Sequence, residues 1–215
     1  MKPGGATAEG EANSEEPPAP GNAAWAKADM PLPAQDSLIF LSDIERLFRL
    51  NPHLDISDWF EEADLPRRFR FRASNETNGC SYEVTIVVES GCEGLTLSYD
   101  SGLKATTEFR IGPAEGGSSL TITDCYHPVD EQSDERFKEV DRSLVPWLAA
   151  IRGHISGLNR YCWLPGYRWW TGHFMLGMPP RQRRIVRMIL WVSLLEFVVF
   201  LFVAAIFWLE QLTSG

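Results

Sequence analysis

The chain lacks the residue patterns of the common metal, phosphate and nucleophile sites. Its four cysteines form no C-x-x-C pair, and its four histidines have no metal-ligand spacing, so we expect no metal site and no cofactor. Gly116-Gly117 is not followed by the Lys-Ser or Lys-Thr of a phosphate-binding loop and predicts a hairpin turn. We find no pairing of a nucleophile with a base. His154 is expected to be a hydrogen-bonded residue on a helix face.

Positive charge is scarce and unevenly placed. The net charge is −9, which argues against a nucleic-acid partner. Residues 159–187 nevertheless hold six arginines and no acid, and no Lys or Arg follows them. Residues 1–36 hold six acids, two lysines, few large apolar side chains and no signal-peptide apolar region. Such a segment buries too little surface to order itself, so we predict a disordered acidic tail over residues 1–36.

One long apolar run lies near the C-terminal end. Met188 to Leu209 is 22 residues long, with only Ser193 and Glu196 as polar interruptions. A helix of that length is about 33 Å long, against a bilayer core of about 30 Å. We therefore predict a transmembrane helix over 185–209 and a short external tail over 210–215. Arginines stay on the cytoplasmic side, which predicts a tail-anchored, single-pass protein with its domain in the cytoplasm and its C-terminus outside (the inner membrane if bacterial).

Glu196 is a carboxylate near the centre of the predicted span. A charge at that depth costs about 2.5–3.5 kcal/mol on insertion scales, and a lone anchor gains nothing from it. One hypothesis is that Glu196 pairs with a basic or hydroxyl group of a partner membrane protein. The alternative is a protonated glutamic acid tolerated by a strongly apolar span.

Residues 161–184 combine aromatic rings with arginines. Trp and Tyr favour the lipid headgroup region, and Arg favours anionic lipid, so we expect this interfacial segment to rest on the membrane surface. The alternative is that its rings pack back onto the domain. Prolines at its end predict a break before the anchor. The residues expected at the membrane surface are Arg160, Trp163, Arg168, Trp169, Trp170, Arg181, Arg183 and Arg184.

The middle of the chain alternates apolar and polar residues. A capping-box pattern at Ser42 predicts a helix that ends at Asn51-Pro52, and Leu54 to Phe60 is a possible strand. Five amphipathic strands then form an antiparallel meander with one apolar face. On the fourth of them Thr107 and Phe109 face inward and Lys104 faces outward. The five strands cover about 68–72, 82–89, 95–100, 103–111 and 120–127.

A long amphipathic helix is predicted between about Asp134 and Asn159, where apolar residues recur at steps of three and four. It can cover the apolar face of the sheet, and Pro146 should kink it or split it in two. Sheet and covering helix together predict a two-layer α+β domain.

The order of these elements resembles the START-like (SRPBCC) helix-grip superfamily, which includes polyketide cyclase/dehydrase-like and lipid-transport proteins. The resemblance covers residues 37–160 and predicts an antiparallel sheet gripped by a long C-terminal helix. That family usually opens with a strand, whereas Pro31 to Phe40 is a poor strand, so we expect a shortened N-terminal edge. The residues that carry the resemblance are LSDIE from Leu41 leading to Asn51-Pro52, GLKATTEF from Gly102 followed by SLTIT from Ser119, and the closing helix at Trp147.

The resemblance implies a hydrophobic cavity between the sheet and the helix. Asp124 is the candidate catalytic residue, because burial on an apolar face disfavours its ionised form and suits a general acid. The alternative is a structural carboxylate bonded to a backbone amide or an arginine. The cavity candidates are Tyr82, Val84, Ile86, Leu97, Tyr99, Thr107, Phe109, Ile122, Asp124, Tyr126, Trp147 and Ile151.

Three functions follow from these patterns. The first is a membrane-tethered cytoplasmic domain that binds a lipid or other hydrophobic small molecule and serves a membrane complex. The second is a cyclase, dehydratase or hydrolase on a hydrophobic substrate, with Asp124 as acid or base supported by Tyr82 or Tyr126. The third is a structural subunit with a filled cavity. The expected partners are the lipid bilayer and, through Glu196, a membrane protein.

Overall fold

An antiparallel sheet of seven strands forms the body of the protein. The computed structural model describes residues 23–62, 67–76, 79, 81–102, 104–127 and 136–213, with no side-chain description for 136–143 and 210. A long helix covers the sheet, and a second long helix leaves the domain, which confirms the predicted α+β helix-grip class. The strands are β1 Ala23–Met30, β2 Leu54–Glu62, β3 Arg67–Asn75, β4 Ser81–Ser90, β5 Gly94–Tyr99, β6 Lys104–Ala114 and β7 Gly117–Tyr126.

The strands lie in the order β1-β7-β6-β5-β4-β3-β2, and all neighbours are antiparallel. Strands β2 to β7 are therefore a continuous meander, which contains the five predicted strands and confirms the possible strand at Leu54. The tight turn between β6 and β7 contains Gly116 with a φ of +80°, a conformation that glycine adopts without strain. This is the hairpin turn predicted from Gly116-Gly117.

Strand β1 corrects two of our predictions. It pairs with β7 from Ala23↔Cys125 to Met30↔Ser118, so residues 23–36 are not a disordered tail and the N-terminal edge is not shortened. Its sequence, AAWAKADM, carries mostly small side chains and gives a weak strand signal. The hydrogen bonds to β7 and the burial of Met30 stabilise the strand, although its composition does not favour one. Residues 1–22 lie outside the described residues.

Two short helices follow β1: α1 (Ala34–Leu41) and α2 (Ile44–Arg49). Asp43, rather than the predicted Ser42, caps α2, because its carboxylate accepts a hydrogen bond from the backbone N–H of Arg46 at 3.1 Å. Each helix contributes apolar side chains to the core, namely Phe40, Leu41, Ile44, Leu47 and Phe48.

Helix α3 (Arg136–Arg160) covers the sheet as one helix of 25 residues, and Pro146 does not split it. Trp147 is the residue through which α3 joins the other layers. Its ring contacts Phe109 of β6 edge-on, at a centroid distance of 5.4 Å. It also contacts Phe48 of α2 at 5.6 Å, and its indole N–H donates to the carbonyl of Leu47 at 2.7 Å.

After α3 come a short helix, α4 (Tyr167–Trp169), a π-helical segment over Trp170–Met175, and helix α5 (Pro180–Thr213). Helix α5 has 34 residues, so it is about 51 Å long. It is long and apolar enough to cross a membrane, and its most apolar part is not buried against the domain. The helix starts at Pro180 inside the predicted interfacial segment, because proline is well suited to a first helical position.

Trp147→Phe tests the role of the indole. Phenylalanine leaves the buried carbonyl of Leu47 without its donor, and an unsatisfied buried group costs about 1–3 kcal/mol. We expect the free energy of unfolding of the full chain in detergent to fall by about that amount. The matched control is Trp163→Phe, at a residue that is 74% exposed. Equal stability of the two variants would contradict the account.

Candidate functional site

The apolar residues expected to line a cavity meet in the interior between the sheet and α3. They belong to one contiguous buried cluster, in which side chains of β4, β5, β6 and β7 pack against those of α3. The structure therefore brings these predicted cavity residues together, and their side chains pack against one another as part of the hydrophobic core. The members are Val84, Ile86, Leu97, Phe109, Ile122, Trp147 and Ile151.

The three predicted tyrosines occupy different environments. Tyr82 lies at the start of β4 and is 42% exposed, so it lies at the rim of the interior and not in its packed part. It keeps the same face as Val84 and Ile86 but lies beyond the end of the core. Tyr99 is half-buried, and Tyr126 is buried. These tyrosines lie at the end of the interior that also holds the polar cluster around Asp124.

Asp124 is the centre of a buried polar cluster on the concave face. Its side chain is completely buried, and it receives a hydrogen bond from Thr107 Oγ1 at 2.5 Å. Lys104 Nζ contacts the other carboxylate oxygen at 2.5 Å, and the hydroxyl of Tyr126 lies 3.5 Å from it. Among the described residues, the partners of Asp124 are an ammonium and two hydroxyls, and not the arginine or backbone amide that the structural alternative names.

Lys104 reaches this cluster because β6 carries a bulge. The register passes from Lys104↔Tyr126 to Thr106↔Cys125, so Ala105 is an extra residue on β6. A bulge shifts the alternation of side chains by one, and Lys104 therefore shares the inward face with Tyr126. Strict alternation of inward and outward side chains along β6 predicts that Lys104 faces outward, which is wrong. No feature of the sequence marks the bulge clearly, since Ala105 is neither glycine nor proline.

The cluster has a defined hydrogen-bond direction. The single hydroxyl proton of Thr107 is donated to Asp124, so in the 3.1 Å contact between Tyr99 and Thr107 the tyrosine is the donor. Burial, and after it the charge of Asp124, raises the pKa of Tyr99, which keeps its proton on the phenol. Lys104 is 23% exposed and lies 5.6 Å from the ring of Trp147. Lys104 and the half-buried Tyr99 are thus the partly accessible members of the network, whereas Thr107 and Asp124 are buried.

The aromatic and arginine residues before α5 are mostly exposed. Trp163, Trp169, Arg160 and Arg168 lie on the surface, whereas Trp170 is half-buried and packs on Phe174. The expectation that the exposed members meet the membrane stays a prediction. Within the described chain, His, Cys, Asp and Glu form no group that could hold a metal ion.

Arg183 does not face the membrane, which corrects our assignment. It is only 7% exposed, and its guanidinium donates to the carbonyl oxygens of Arg49, Leu176 and Met178. Burial first, then the charges of Arg49 and Arg187, lowers its pKa to about 10, so it remains protonated at neutral pH. The first turn of α5 is therefore bonded to the end of α2.

A second set of bonds joins α5 to the end of β3. Arg184 contacts Glu76 at 2.6 Å and donates to the carbonyl of Pro52 at 3.1 Å, while the backbone N–H of Arg181 donates to Glu76 at 3.2 Å. Arg181 and Arg184, expected at the membrane surface, thus also hold the domain. We call Arg181, Arg183, Arg184 and Glu76 the junction clamp.

Lys104→Met tests whether the cluster is an ion pair. The carboxylate of Asp124 would be left buried without its counter-charge, which costs about 3–5 kcal/mol. The double variant Lys104→Met/Asp124→Asn should recover most of that loss, since it buries no charge. The measurement is the free energy of unfolding of the full chain, with Lys27→Met on the exposed side of β1 as the control. A single variant as stable as the double variant would show that the charges are not coupled.

Comparison with known proteins places the fold. No protein-family model and no curated protein matches the chain. Its structure is similar to that of the KanY protein, with a TM-score of 0.51 and 14% identity over 63% of this chain and 97% of that one. A START superfamily protein from Mycobacterium smegmatis has a TM-score of 0.49 and 18% identity over 64% of this chain and 99% of its own.

The di-domain ARO/CYC StfQ from the steffimycin biosynthetic pathway has a TM-score of 0.49 and 13% identity, over 61% of this chain and 49% of that one. At these identities the likeness concerns the fold alone. The seven-stranded antiparallel sheet and the covering helix agree with it. The domain has a helix-grip fold.

Proposed function

We propose that this protein is a membrane-tethered, START-like domain that binds a hydrophobic molecule with a negatively charged or polar end. The observation that carries the proposal is the buried cluster of Lys104, Asp124 and Thr107 on an otherwise apolar concave face. Pockets for small molecules are mostly apolar and orient their ligands with a few convergent polar groups. The cluster has that composition, and the helix-grip fold gives it the matching position between sheet and helix.

Lys104 is the group best placed to receive the polar end of a ligand. An ammonium has three donors, and within the described chain Lys104 uses one of them, on Asp124. Tyr99 and the exposed Tyr82 lie at the same end of the interior and can contact the adjoining apolar part. The ligand would enter at this tyrosine-lined end.

Two other functions remain as alternatives. A structural subunit is favoured by the packing of Trp147, Phe109 and Phe48, which fill the interior near α2. An enzyme that uses Asp124 as a general acid receives less support, because the carboxylate is bonded to an ammonium and to the hydroxyl of Thr107. The ligand-binding experiment below separates the first alternative from the proposal.

The tether is α5, which we propose crosses the bilayer with the domain on the cytoplasmic side. The arginines at the start of α5 support this orientation, because positive charge is retained in the cytoplasm. The exposed Trp163 and Trp169 would then lie at the level of the lipid headgroups. A domain so placed can exchange a hydrophobic molecule with the membrane or with a neighbouring membrane protein.

Binding of oleate to the full chain in a mild detergent, followed by native mass spectrometry, tests the proposed site. Wild type should retain one oleate. In Lys104→Met/Asp124→Asn the retention should fall about tenfold or more, since a hydrogen bond to a charged group contributes about 1.5–3 kcal/mol. Lys27→Met should behave as wild type. Failure of wild type to retain oleate would favour the filled, structural interior, and equal retention by the double variant would exclude this cluster as the site.

Glu196 supports the further proposal that the tether belongs to an assembly. Its side chain is exposed on α5, about 24 Å along the helix from Pro180. An exposed carboxylate at that depth would be stabilised by a basic or hydroxyl group of another membrane helix.

Glu196→Leu should reduce the amount of any membrane protein that co-purifies with the full chain, whereas Glu196→Gln should retain part of it, because an amide still forms hydrogen bonds. Phe197→Leu is the control on the neighbouring position. Unchanged co-purification in both Glu196 variants would show that the side chain does not pair with a partner.

A further inference from the structure

A cavity of about 530 Å³ lies where α5 leaves the domain. Its walls come from the outer face of α3, the segment between α3 and α5, and the first turns of α5. It is separate from the interior cluster, which lies on the other face of α3. Its volume is within the range of small-molecule sites in proteins, about 300–1,000 Å³.

Three arginines line the cavity, and one of them forms no hydrogen bond or ion pair with another described residue. Arg183 and Arg184 are held by the junction clamp. Arg187, one turn further along α5, lines the same cavity and forms no hydrogen bond or ion pair with another described residue. Glu76 is the acid that offsets the clamp, and it lies against Arg181 and Arg184. The cavity therefore has an excess of positive charge.

His154 also lines the cavity and contradicts its expected role as a fully hydrogen-bonded residue. Its Nε2 atom is buried and has no hydrogen-bond partner among the described residues. Burial first, then the charges of Arg46 and Arg187, lowers the pKa of His154 to about 4, so the ring is neutral at pH 7. A neutral imidazole can donate one hydrogen bond. Nε2 is not solvent-accessible, so Arg187 and not the imidazole ring is the group available to an anionic oxygen in the cavity.

Apolar residues also line the cavity. Trp170 and Ala150 contribute to its walls, and Leu190 extends them onto α5. Leu190 belongs to the apolar run that is expected to lie in the bilayer and comes three residues after Arg187. The lining thus continues from Arg187 onto the apolar run of α5.

We propose that this cavity binds one anionic phospholipid, with its phosphate at Arg187 and its acyl chains along α5 past Leu190. The proposal rests on the placement of α5 in a bilayer and does not depend on a ligand at Lys104. A lipid in this position would fill the space between the domain and the helix. It would make the junction sensitive to the lipid composition of the membrane.

The test uses the full chain in a mild detergent and native mass spectrometry, with palmitoyl-oleoyl phosphatidylglycerol and palmitoyl-oleoyl phosphatidylcholine as probes. The acyl chains are equal, so the comparison isolates the headgroup charge. Wild type should retain one phosphatidylglycerol and about tenfold less phosphatidylcholine. Arg187→Gln should lower phosphatidylglycerol retention about tenfold, as expected for one lost hydrogen bond to a charged group. The matched control, Arg68→Gln, changes an exposed arginine of β3 outside the cavity and should have no effect.

Gly153→Leu closes the cavity without removing charge. A Cβ at Gly153 meets no heavy atom within 4 Å, and leucine is a better helix former than glycine, so α3 should not be weakened. This variant should lose phosphatidylglycerol about tenfold while its melting temperature stays at or above that of wild type. Its oleate retention should be unchanged, so the two proposed sites can fail separately.

Three results would overturn the proposal. The first is equal retention of the two phospholipids by wild type. The second is unchanged phosphatidylglycerol in both Arg187→Gln and Gly153→Leu. The third is a one-to-one adduct with inorganic phosphate, at millimolar concentration, that displaces the phospholipid, because the natural ligand would then be a soluble phosphate.

Discussion

The buried guanidinium of Arg183 is the contact on which the relation between the domain and α5 depends. It bonds the carbonyl of Arg49 in the domain and those of Leu176 and Met178 before α5. Burying such a charge is unfavourable unless all its donors are satisfied, so a loose arrangement of these three segments would be penalised. Glu76 adds ion pairs to Arg181 and Arg184 beside it. The domain is thus fixed to the head of α5 by more than the covalent chain.

Helix α3 separates two sites of different character. Trp147 and Ile151 face the sheet and adjoin the Lys104–Asp124 cluster, whereas Gly153 and His154 face the cavity at the junction. The junction clamp bonds the start of α5 to the ends of α2 and β3, and the cavity lies beside it. One face of α3 thus borders the interior proposed for an amphiphile, and its other face borders the cavity proposed for a phospholipid.

Periodicity predicted most of the fold and only part of the site. The strands of the meander and α3 carry long alternating or helical patterns, and Asp124 with Thr107 followed from that alternation. Strand β1 could not be predicted from the sequence, because its alanines bury little surface and it is stabilised mainly by pairing with β7. The inward orientation of Lys104 could not be predicted, because the bulge at Ala105 moves its side chain to the other face of β6. Arg183 was misassigned because a run of arginines before an apolar helix gives no indication of which one turns into the domain.

The distance between the domain and the far end of α5 tests the central claim most directly. Spin labels at the exposed Cys92 and at Gln211→Cys, with the other cysteines changed to serine, would report it by double electron–electron resonance on the full chain in lipid nanodiscs. A domain fixed by Arg183 gives one narrow distance distribution, and Arg183→Met broadens it. A broad distribution in the chain that retains Arg183 would show that the domain moves freely on its tether and would contradict the account.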